Sequence, residues 1–541
     1  MNLINAGIDL VSRPKRLADA VKGKSTLLKQ EGSLSIYKVP LKEEKINITG
    51  CKHFCYGKEP KVVKSNRTIM VLGATGAGKS TLIHGMINYI LGVKWEDSFR
   101  FQIVDDGVSK SQAESQTSEV TVYTIHHNKD FAIDCSLTIV DTPGFGDTRG
   151  IERDREITEQ LRNLFSAEHG VSEIDAVCFV AQASLARLTP SQKYVFDSVL
   201  SIFGKDVAEN IRILVTFADG QRPPVLEAIN AAEVPCPKEK GLPIHFKFNN
   251  SALFADNQTS AADEDEDGFD EMFWKMGSKS MKRFFVALNI IETKSLTLTK
   301  EVLRERKQLE NSIENLQKQV KLGLAKLEQI RETKEKLDTH EAEITRNKDF
   351  VFKTKVNKPF QEKISGTGIF LTNCQVCSVT CHDNCGIPND SDKNQCCAMG
   401  SDGFCTECPG KCYWNNHFNQ MYKWIYKEVE VEQTIDELKK KYQVAIDAKA
   451  PVQELIGKLN ADHACVQMDV EKLMKTSAQS LNRLKEIALK PNPLSTPEYI
   501  DMLIEGEKAS AEPGWKKRVE SLTTIRQNAV ILAKVERGEK L

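Results

Sequence analysis

"VLGATGAGKST", residues 71–81, decides the fold of the segment around it. It reads Gly73, four residues, then Gly78-Lys79-Ser80-Thr81, directly after the apolar run "TIMVLG" (68–73) and ahead of a helical pattern. Strand, glycine-rich loop and helix in that order make a phosphate cradle. Gly73, Ala74, Thr75, Gly76, Ala77 and Gly78 let the loop curl, so that backbone N–H groups point inward at phosphate oxygens. Lys79 is expected to bring positive charge to the β- and γ-phosphates and Ser80 a hydroxyl to Mg²⁺, with Thr81 completing the nucleotide-lining set.

A second motif, "IVDTPGFGDT" (139–148), follows another apolar run. Asp141 is placed to hold Mg²⁺ through a water, and Gly144 to give its N–H to a γ-phosphate and so sense its presence. An Asp-x-x-Gly paired with a phosphate loop separates switch GTPases from most other P-loop proteins. The remaining Mg²⁺ hydroxyl is expected from Thr117 in "SQTSEVTV", with Ser118 as the competing choice. Lys79, Thr117 and Gly144 are therefore the candidate catalytic set. Phe145 stands where small signalling GTPases carry a water-positioning Gln, so hydrolysis by a single subunit should be slow. Arg149 and Arg153 lie close behind; they act across a dimer or are solvated loop arginines.

"DAVCFVA" (175–181) and "IRILVTFA" (211–218) add two more buried-strand patterns, each followed by a helical stretch. From 66 to 291 the alternation predicts a doubly wound α/β domain with a mostly parallel sheet. An acidic run, "ADEDEDGFDE" (262–271), reads as a solvated loop, an all-acid metal site being the minor alternative.

Four stretches together, "GATGAGKST", "DTPGFGDT", "ARLTPSQKYVFDSVLSIFG" (186–204) and "ILVTFADG" (213–220), resemble the AIG-type branch of the septin-like GTPases. The resemblance covers about 66–291. It implies a Ras-like P-loop GTPase fold, GTP and GDP binding, nucleotide-dependent homodimerisation across the nucleotide face, and scaffold-like rather than metabolic roles. The four places of the base-reading Asn-Lys-x-Asp are filled by Thr216, Phe217, Ala218 and Asp219, which is similar to the Thr-His-Ala variant of the chloroplast import receptors in that branch. Phe217 would then stack on the purine and Asp219 take the guanine N1–H and N2–H₂. Asn249 and Asn250, in "IHFKFNNSALF" (244–254), would reach the same base, Asn250 at O6. The bland alternative makes Phe217 a core residue and Asp219 the cap of a turn at "ADG".

The chain has 541 residues, 40% of them hydrophobic and 28% charged, with a formal net charge of −1. That length implies more than one domain, and the charge balance argues against nucleic-acid binding. No run reaches the roughly 18 apolar residues of a membrane-spanning helix, and the first residues make a poor signal peptide. The final residues carry neither a prenylation Cys nor an apolar tail. The expectation is a cytoplasmic protein without direct membrane binding. Residues 1–65 read as an uninformative extension; "GKSTLL" (23–28) there repeats part of the phosphate loop but has Ala18 where its first Gly belongs.

Beyond the α/β domain, 292–348 reads as a coiled-coil helix. Val302, Leu309, Leu316, Gly323, Ile330, Leu337 and Ile344 recur every seven residues, with Ile313, Val320 and Leu327 at the second core position. A second coiled-coil helix is expected over 424–490 and a helical tail over 491–541. Between the helices, 349–423 is Cys-rich: nine of the chain's 15 Cys fall between Cys374 and Cys412. Cys374, Cys377, Cys381, His382, Cys385, Cys396, Cys397, Cys405, Cys408, Cys412 and His417 form two Cys-x₂-Cys knuckles with further ligands. That pattern suits tetrahedral zinc, with two four-ligand sites and some ligands left over. Disulfides and an iron–sulfur cluster are the alternatives. Cys51, Cys55, Cys135 and Cys178 read as isolated thiols. The economical geometry is an antiparallel helical hairpin with a zinc-stapled tip; the other is two segments pairing with separate chains.

The functional expectation is a slow GTPase that acts as a dimerising switch, with the helical stalk and its tip binding a protein partner. A non-hydrolysing scaffold and a dynamin-like membrane GTPase are its competitors.

Overall fold

The computed structural model describes residues 16–59, 65–103, 118–146, 151–187, 189–257, 267–339, 351–364, 370–434, 452–490, 497–510, 515–537 and 539. The chain divides into two compact units, one of 1–300, 488–493 and 502–522, the other of 301–487, 494–501 and 523–541.

The first unit is built on an eight-stranded sheet. Its order is His245–Lys247, Ile211–Thr216, Ala176–Gln182, Asn66–Gly73, Ser136–Asp141, Val120–Ile125, Cys51–Tyr56, Lys42–Glu44. The first five run parallel, Val120–Ile125 pairs antiparallel with Ser136–Asp141, and Cys51–Tyr56 is parallel to Val120–Ile125. The central strands are continuous Val/Ile/Leu runs because both faces are covered, and Ile69 through Leu72 are fully buried. The helix Lys79–Ile90 presses Leu82, Ile83, Met86, Ile87 and Ile90 onto the sheet. The helix Pro190–Leu200 starts on a capping box: Thr189 Oγ1 accepts from Gln192 N, and Thr189 N donates to Gln192 Oε1.

The N-terminal segment is not a separate extension. Lys42–Glu44 and Cys51–Tyr56 complete one edge of the sheet, and Thr26–Glu31 and Leu34–Lys38 form a small sheet with Phe99–Gln102. Its strands hid in the sequence because they lie half-exposed at an edge, where polar residues interrupt the apolar pattern. Within "GKSTLL", Gly23 ends a short helix and Thr26 opens a strand, so the segment is no phosphate loop. The acidic run lies largely outside the described residues, which resume at Asp267, the start of helix Asp267–Ile290.

In the second unit, the helix Thr297–Thr339 buries Val302, Leu309, Ile313 and Leu316. Leu316 packs with Leu473 of the helix Val452–Ile487 and Val535 of the helix Trp515–Arg537. The side chains of Gly323, Leu327, Ile330 and Leu337, and all of Ile344, lie outside what is described. The expected second helix does not begin at 424. Tyr422–Thr434 is a strand paired antiparallel with Val351–Lys363, from Val351↔Thr434 to Lys363↔Tyr422. Its sequence, "YKWIYKEVEVEQT", alternates aromatic and β-branched residues with charged ones, a period of two that favours strand over helix.

Candidate nucleotide site and cysteine cluster

The phosphate loop emerges from Asn66–Gly73 and ends at Gly78, whose φ of 83° sits in the left-handed region that favours glycine and turns the chain into the helix at Lys79. Lys79 is buried, and its Nζ donates to the carbonyls of Gly73 (3.2 Å) and Ala74 (2.9 Å). Burial lowers its pKa to about 8, against the pull of Asp141 in the other direction. Asp141, fully buried at the end of Ser136–Asp141, brings the carboxylate to the same corner. Ser80 and Thr81 are half-buried in the first turn of the helix.

The loop after Asp141 is laced to the phosphate loop. Thr142 Oγ1 donates to Val71 O (3.0 Å), Phe145 N to Gly73 O (3.2 Å), and Thr75 N to Phe145 O (3.0 Å). Gly144 is a glycine for want of room: a Cβ there would lie 2.5 Å from Thr75 Cα. Phe145 is buried in the core, so its side chain takes no place beside an attacking water. Thr117 and Arg149 lie outside the described residues. Arg153 is in the first turn of Ile151–Ser166, largely buried rather than solvated, and its guanidinium donates to Ser118 O and pairs with Glu156.

The base-side residues converge on the same edge. Thr216 Oγ1 donates to Ala77 O (2.8 Å), tying the end of its strand to the phosphate loop. Phe217 is 57% exposed with φ 53°, a large apolar ring held in the left-handed region, and its ring edge comes within 3.6 Å of a Cβ placed on Gly78. Phe217 is therefore not a core residue. Asp219 is exposed, and its Oδ1 accepts from Gln221 N (2.9 Å), the turn-capping contact. Asn249 Oδ1 accepts from Ser251 N and Oγ, capping a short 3-10 turn. Asn250 Nδ2 is buried with no hydrogen-bond partner, a donor awaiting an acceptor.

Two features of this unit had no signal in the sequence. Arg100, completely buried, donates from Nε to Leu253 O (3.0 Å) and stacks on Trp274 at 4.4 Å, pinning the Asn249–Leu253 loop. The C-terminal segment brings Leu503, Gly506 and Arg518 to a cavity also walled by Thr75, Phe145 and Pro190. Arg518 and Glu507 form a buried ion pair there at 2.7 Å.

The cysteine segment folds on a sheet of Phe370–Cys374, Val379–Cys385 and His417–Phe418. It brings ten of the eleven expected ligands into three groups. Cys374, Cys377, Cys408 and Cys412 form one; Cys381, Cys405, Cys408 and His417 a second; His382, Cys396 and Cys397 a third. Cys385 Sγ lies 3.8 Å from Cys396 Sγ, beside the third. The module is not at the far end of the helix. Asn315 Nδ2 donates to the buried Glu407 (2.6 Å) and Asn311 Nδ2 contacts Cys397 Sγ (3.3 Å), which seats it on the helix well before Thr339. The strand pair Val351–Lys363 and Tyr422–Thr434 lets the chain double back to reach that face. Of the thiols read as isolated, Cys55 lies with His53 and Glu44, while Cys51, Cys135 and Cys178 join no such group among the described residues.

Among solved structures, Toc33 from Arabidopsis thaliana in complex with Mg²⁺ and GMPPNP is 18% identical over 42% of this chain and 87% of its own, with a TM-score of 0.28. Its complex with GDP and Mg²⁺ gives 18%, 42%, 86% and 0.28. A dimerisation-deficient mutant of Toc33 gives 16%, 40%, 85% and 0.26. No curated protein matches the chain. No helix among the described residues is long and apolar enough to cross a membrane. The model of the AIG1 family matches residues 67–267, the span that holds the phosphate loop, the Asp141–Gly144 loop and the base-side edge. Over residues 67–267 the chain is thus similar to the AIG1 family, on an α/β fold with a mostly parallel central sheet.

Proposed function

We propose that this protein binds GTP and GDP through residues 73–81, 141–144, 216–219 and 249–250, and hydrolyses GTP slowly. The observation that carries the reading is the lacing of the Asp141–Gly144 loop onto the phosphate loop. A loop that senses a γ-phosphate has to be held within reach of it, and Gly144 is pressed against Thr75. Lys79, which holds two loop carbonyls, would turn its ammonium to the phosphates. The hydroxyl of Ser80 and the carboxylate of Asp141 are oxygen donors of the kind Mg²⁺ takes, and Thr117 would add a third. Bound Mg²⁺ would neutralise charge on the β- and γ-phosphates.

On the base side, Phe217 offers its exposed ring as a stacking surface, and the orphaned Asn250 Nδ2 is a donor suited to guanine O6. Asp219 keeps its second oxygen for the N1–H and N2–H₂ while the first holds the turn. With Phe145 in the core and no Gln behind Gly144, nothing among the described residues nearby orients a water, so turnover is expected to rise when subunits meet across the nucleotide face as a homodimer. The second unit would be the partner-binding part of a cytoplasmic switch or scaffold, its cysteine module folded around structural zinc. Two observations support the metal: the convergence of the ligands, and His417, whose Nε2 is buried without a hydrogen bond while Nδ1 lies 3.2 Å from Tyr413 O. That backbone contact fixes the ring as it is fixed in ligating histidines.

Nucleotide extracted from the purified chain should be guanine nucleotide, and turnover per subunit should climb with protein concentration. Asp219→Asn should move preference toward xanthine nucleotide. Recovery of ATP, or unchanged GTP affinity in Asp219→Asn, overturns the base assignment; concentration-independent hydrolysis overturns the dimer and leaves a scaffold.

A further inference from the structure

We propose that the cysteine module holds three zinc ions, two of them bridged by the thiolate of Cys408. The inference rests on the zinc reading above and sharpens it from an unassigned ligand set to a defined cluster. Nine cysteines and two histidines are eleven ligands, whereas three tetrahedral ions need twelve. The geometry supplies the twelfth by counting one residue twice. Cys408 Sγ lies within 4.8 Å of every ligand atom of both the Cys374/Cys377/Cys412 set and the Cys381/Cys405/His417 set. If Cys408 served only one ion, the other would be left with three protein ligands.

The distances agree with tetrahedral sites. Sulfurs bound to one zinc at about 2.3 Å stand roughly 3.8 Å apart, and a sulfur and a nitrogen about 3.6 Å. Cys377 and Cys412 Sγ are 3.6 Å apart, Cys385 and Cys396 Sγ 3.8 Å. His382 Nδ1 lies 3.2 Å from Cys396 Sγ and 3.4 Å from Cys397 Sγ. The third ion therefore takes His382, Cys396 and Cys397, and its fourth place is assigned to Cys385, which stands 3.8 Å from Cys396 Sγ but outside that mutually close set.

The surroundings are those of thiolates rather than thiols. Backbone N–H groups are aimed at sulfur: Cys377 N at Cys374, Glu407 N and Cys408 N at Cys405, Cys412 N at Cys408, and Gly410 N at Cys377, all between 3.3 and 3.4 Å. Such donors favour the charged form of the acceptor. Three Zn²⁺ against nine thiolates leave a net charge of −3, and Lys393 answers part of it. Completely buried, Lys393 donates to the carbonyls of Leu371 and Ile387 and lies 3.9 Å from Cys385 Sγ. A fully buried ammonium is costly unless matched by negative charge, and an anionic metal site beside it provides that match. Disulfides fit poorly, since an odd number of cysteines shares the segment and Cys408 stands among five other sulfurs.

The test is metal content and coupling in the full chain, purified under reducing conditions. Native mass spectrometry and zinc released after thiol modification should both give three zinc per chain. Two per chain overturns the shared cluster but keeps zinc in the module; none overturns the zinc reading itself. With Co²⁺ as the probe, two of three ions should be magnetically coupled through the Cys408 sulfur and lose paramagnetic signal, leaving one isolated high-spin centre. Three independent centres would refute the bridge. Cys397→Ser should lose one ion and keep the coupled pair, whereas Cys408→Ser should abolish coupling and keep the isolated centre. Should Cys408→Ser fail to fold, the cobalt spectrum of the unaltered chain still decides.

Discussion

Adding one methyl group at Gly144 tests the site most directly. The new Cβ would stand 2.5 Å from both Thr75 Cα and Thr75 Oγ1 and 2.7 Å from Thr75 N, where ordinary contact is 3.4–4 Å. Two of those three atoms are backbone, so relief requires the two loops to part by about 1 Å. Parting them strains Thr75 N to Phe145 O and Phe145 N to Gly73 O, the bonds that hold the sensing loop against the cradle. Overpacking costs about 1–3 kcal/mol and each of the two weakened hydrogen bonds about 0.5–1.5 kcal/mol, so Gly144→Ala should lose roughly 2–6 kcal/mol. At about 2–4 °C per kcal/mol for a domain of this size, melting of the nucleotide-free chain should fall by roughly 4–24 °C. The displaced Gly144 N–H should also cost affinity for a GTP analogue more than for GDP, because only the former carries the γ-phosphate. The matched control is Gly457→Ala. Gly457 is exposed in the helix Val452–Ile487 with nothing within 4 Å of its Cβ position, so the same methyl group should stabilise by about 0.5–1 kcal/mol. Calorimetric melting and nucleotide titration of both variants give the answer. A Gly144→Ala protein that melts with the parent and keeps its GTP-to-GDP ratio would refute the close approach of the loops.

Lys79 gives a pH signature. Its folded pKa of about 8 lies below the ordinary lysine value of 10.5, so the unfolded chain binds more protons between those limits. Stability of the nucleotide-free protein should therefore rise as pH goes from about 8 to about 10.5, and the rise should vanish in Lys79→Met; an equal slope in both proteins counts against it. Asn315→Ala removes a 2.6 Å donor from the buried Glu407, with an expected loss of about 1.5–3 kcal/mol in chemical denaturation. Burial already raises the Glu407 pKa, so its contribution falls as pH rises from the unfolded value through the folded one. Asn315→Ala should widen that window upward, and a pH-independent loss would speak against a charged partner. Arg518→Ala removes the guanidinium that pairs with the buried Glu507 and should cost about 3–5 kcal/mol, whereas apolar replacement of both should restore most of it. A neutral single variant would show the pair to be solvated.

The placing of the phosphate-loop residues between a strand and a helix was readable because it is local. Gly78 is set by its own backbone angle, and Lys79 and Ser80 follow it by covalent connection. Asp141, which ends a strand, and Gly144, in the loop just after it, were placed for the same reason, since the apolar run of that strand is visible. Phe217 was only half readable. "TFAD" admits a core ring or a stacking ring, and the choice depends on a left-handed φ that sequence does not dictate for a phenylalanine. Arg100 and Arg518 were invisible, since each acquires its meaning from partners far off in sequence, Leu253 in one case and the Thr75–Phe145 wall in the other.

In the second unit, covalent proximity misled. The cysteines name their chemistry by type and spacing, but Cys408 belongs to two sets only because the sheet of Phe370–Cys374, Val379–Cys385 and His417–Phe418 brings Cys374 and Cys381 to it together. The heptad reading caught only the apolar face of its helix. Val302, Leu309 and Leu316 do form a buried stripe, yet Asn311, Ser312 and Asn315 beside it are buried as well, and their amide and hydroxyl groups receive Glu407 and Cys397. A helix face that is polar in sequence reads as solvated by default. Here it is a docking face, because the partner it covers carries a carboxylate and thiols that need hydrogen-bond donors more than they need apolar contact. The requirement comes from the module and not from the helix, so no inspection of the helix alone could have found it.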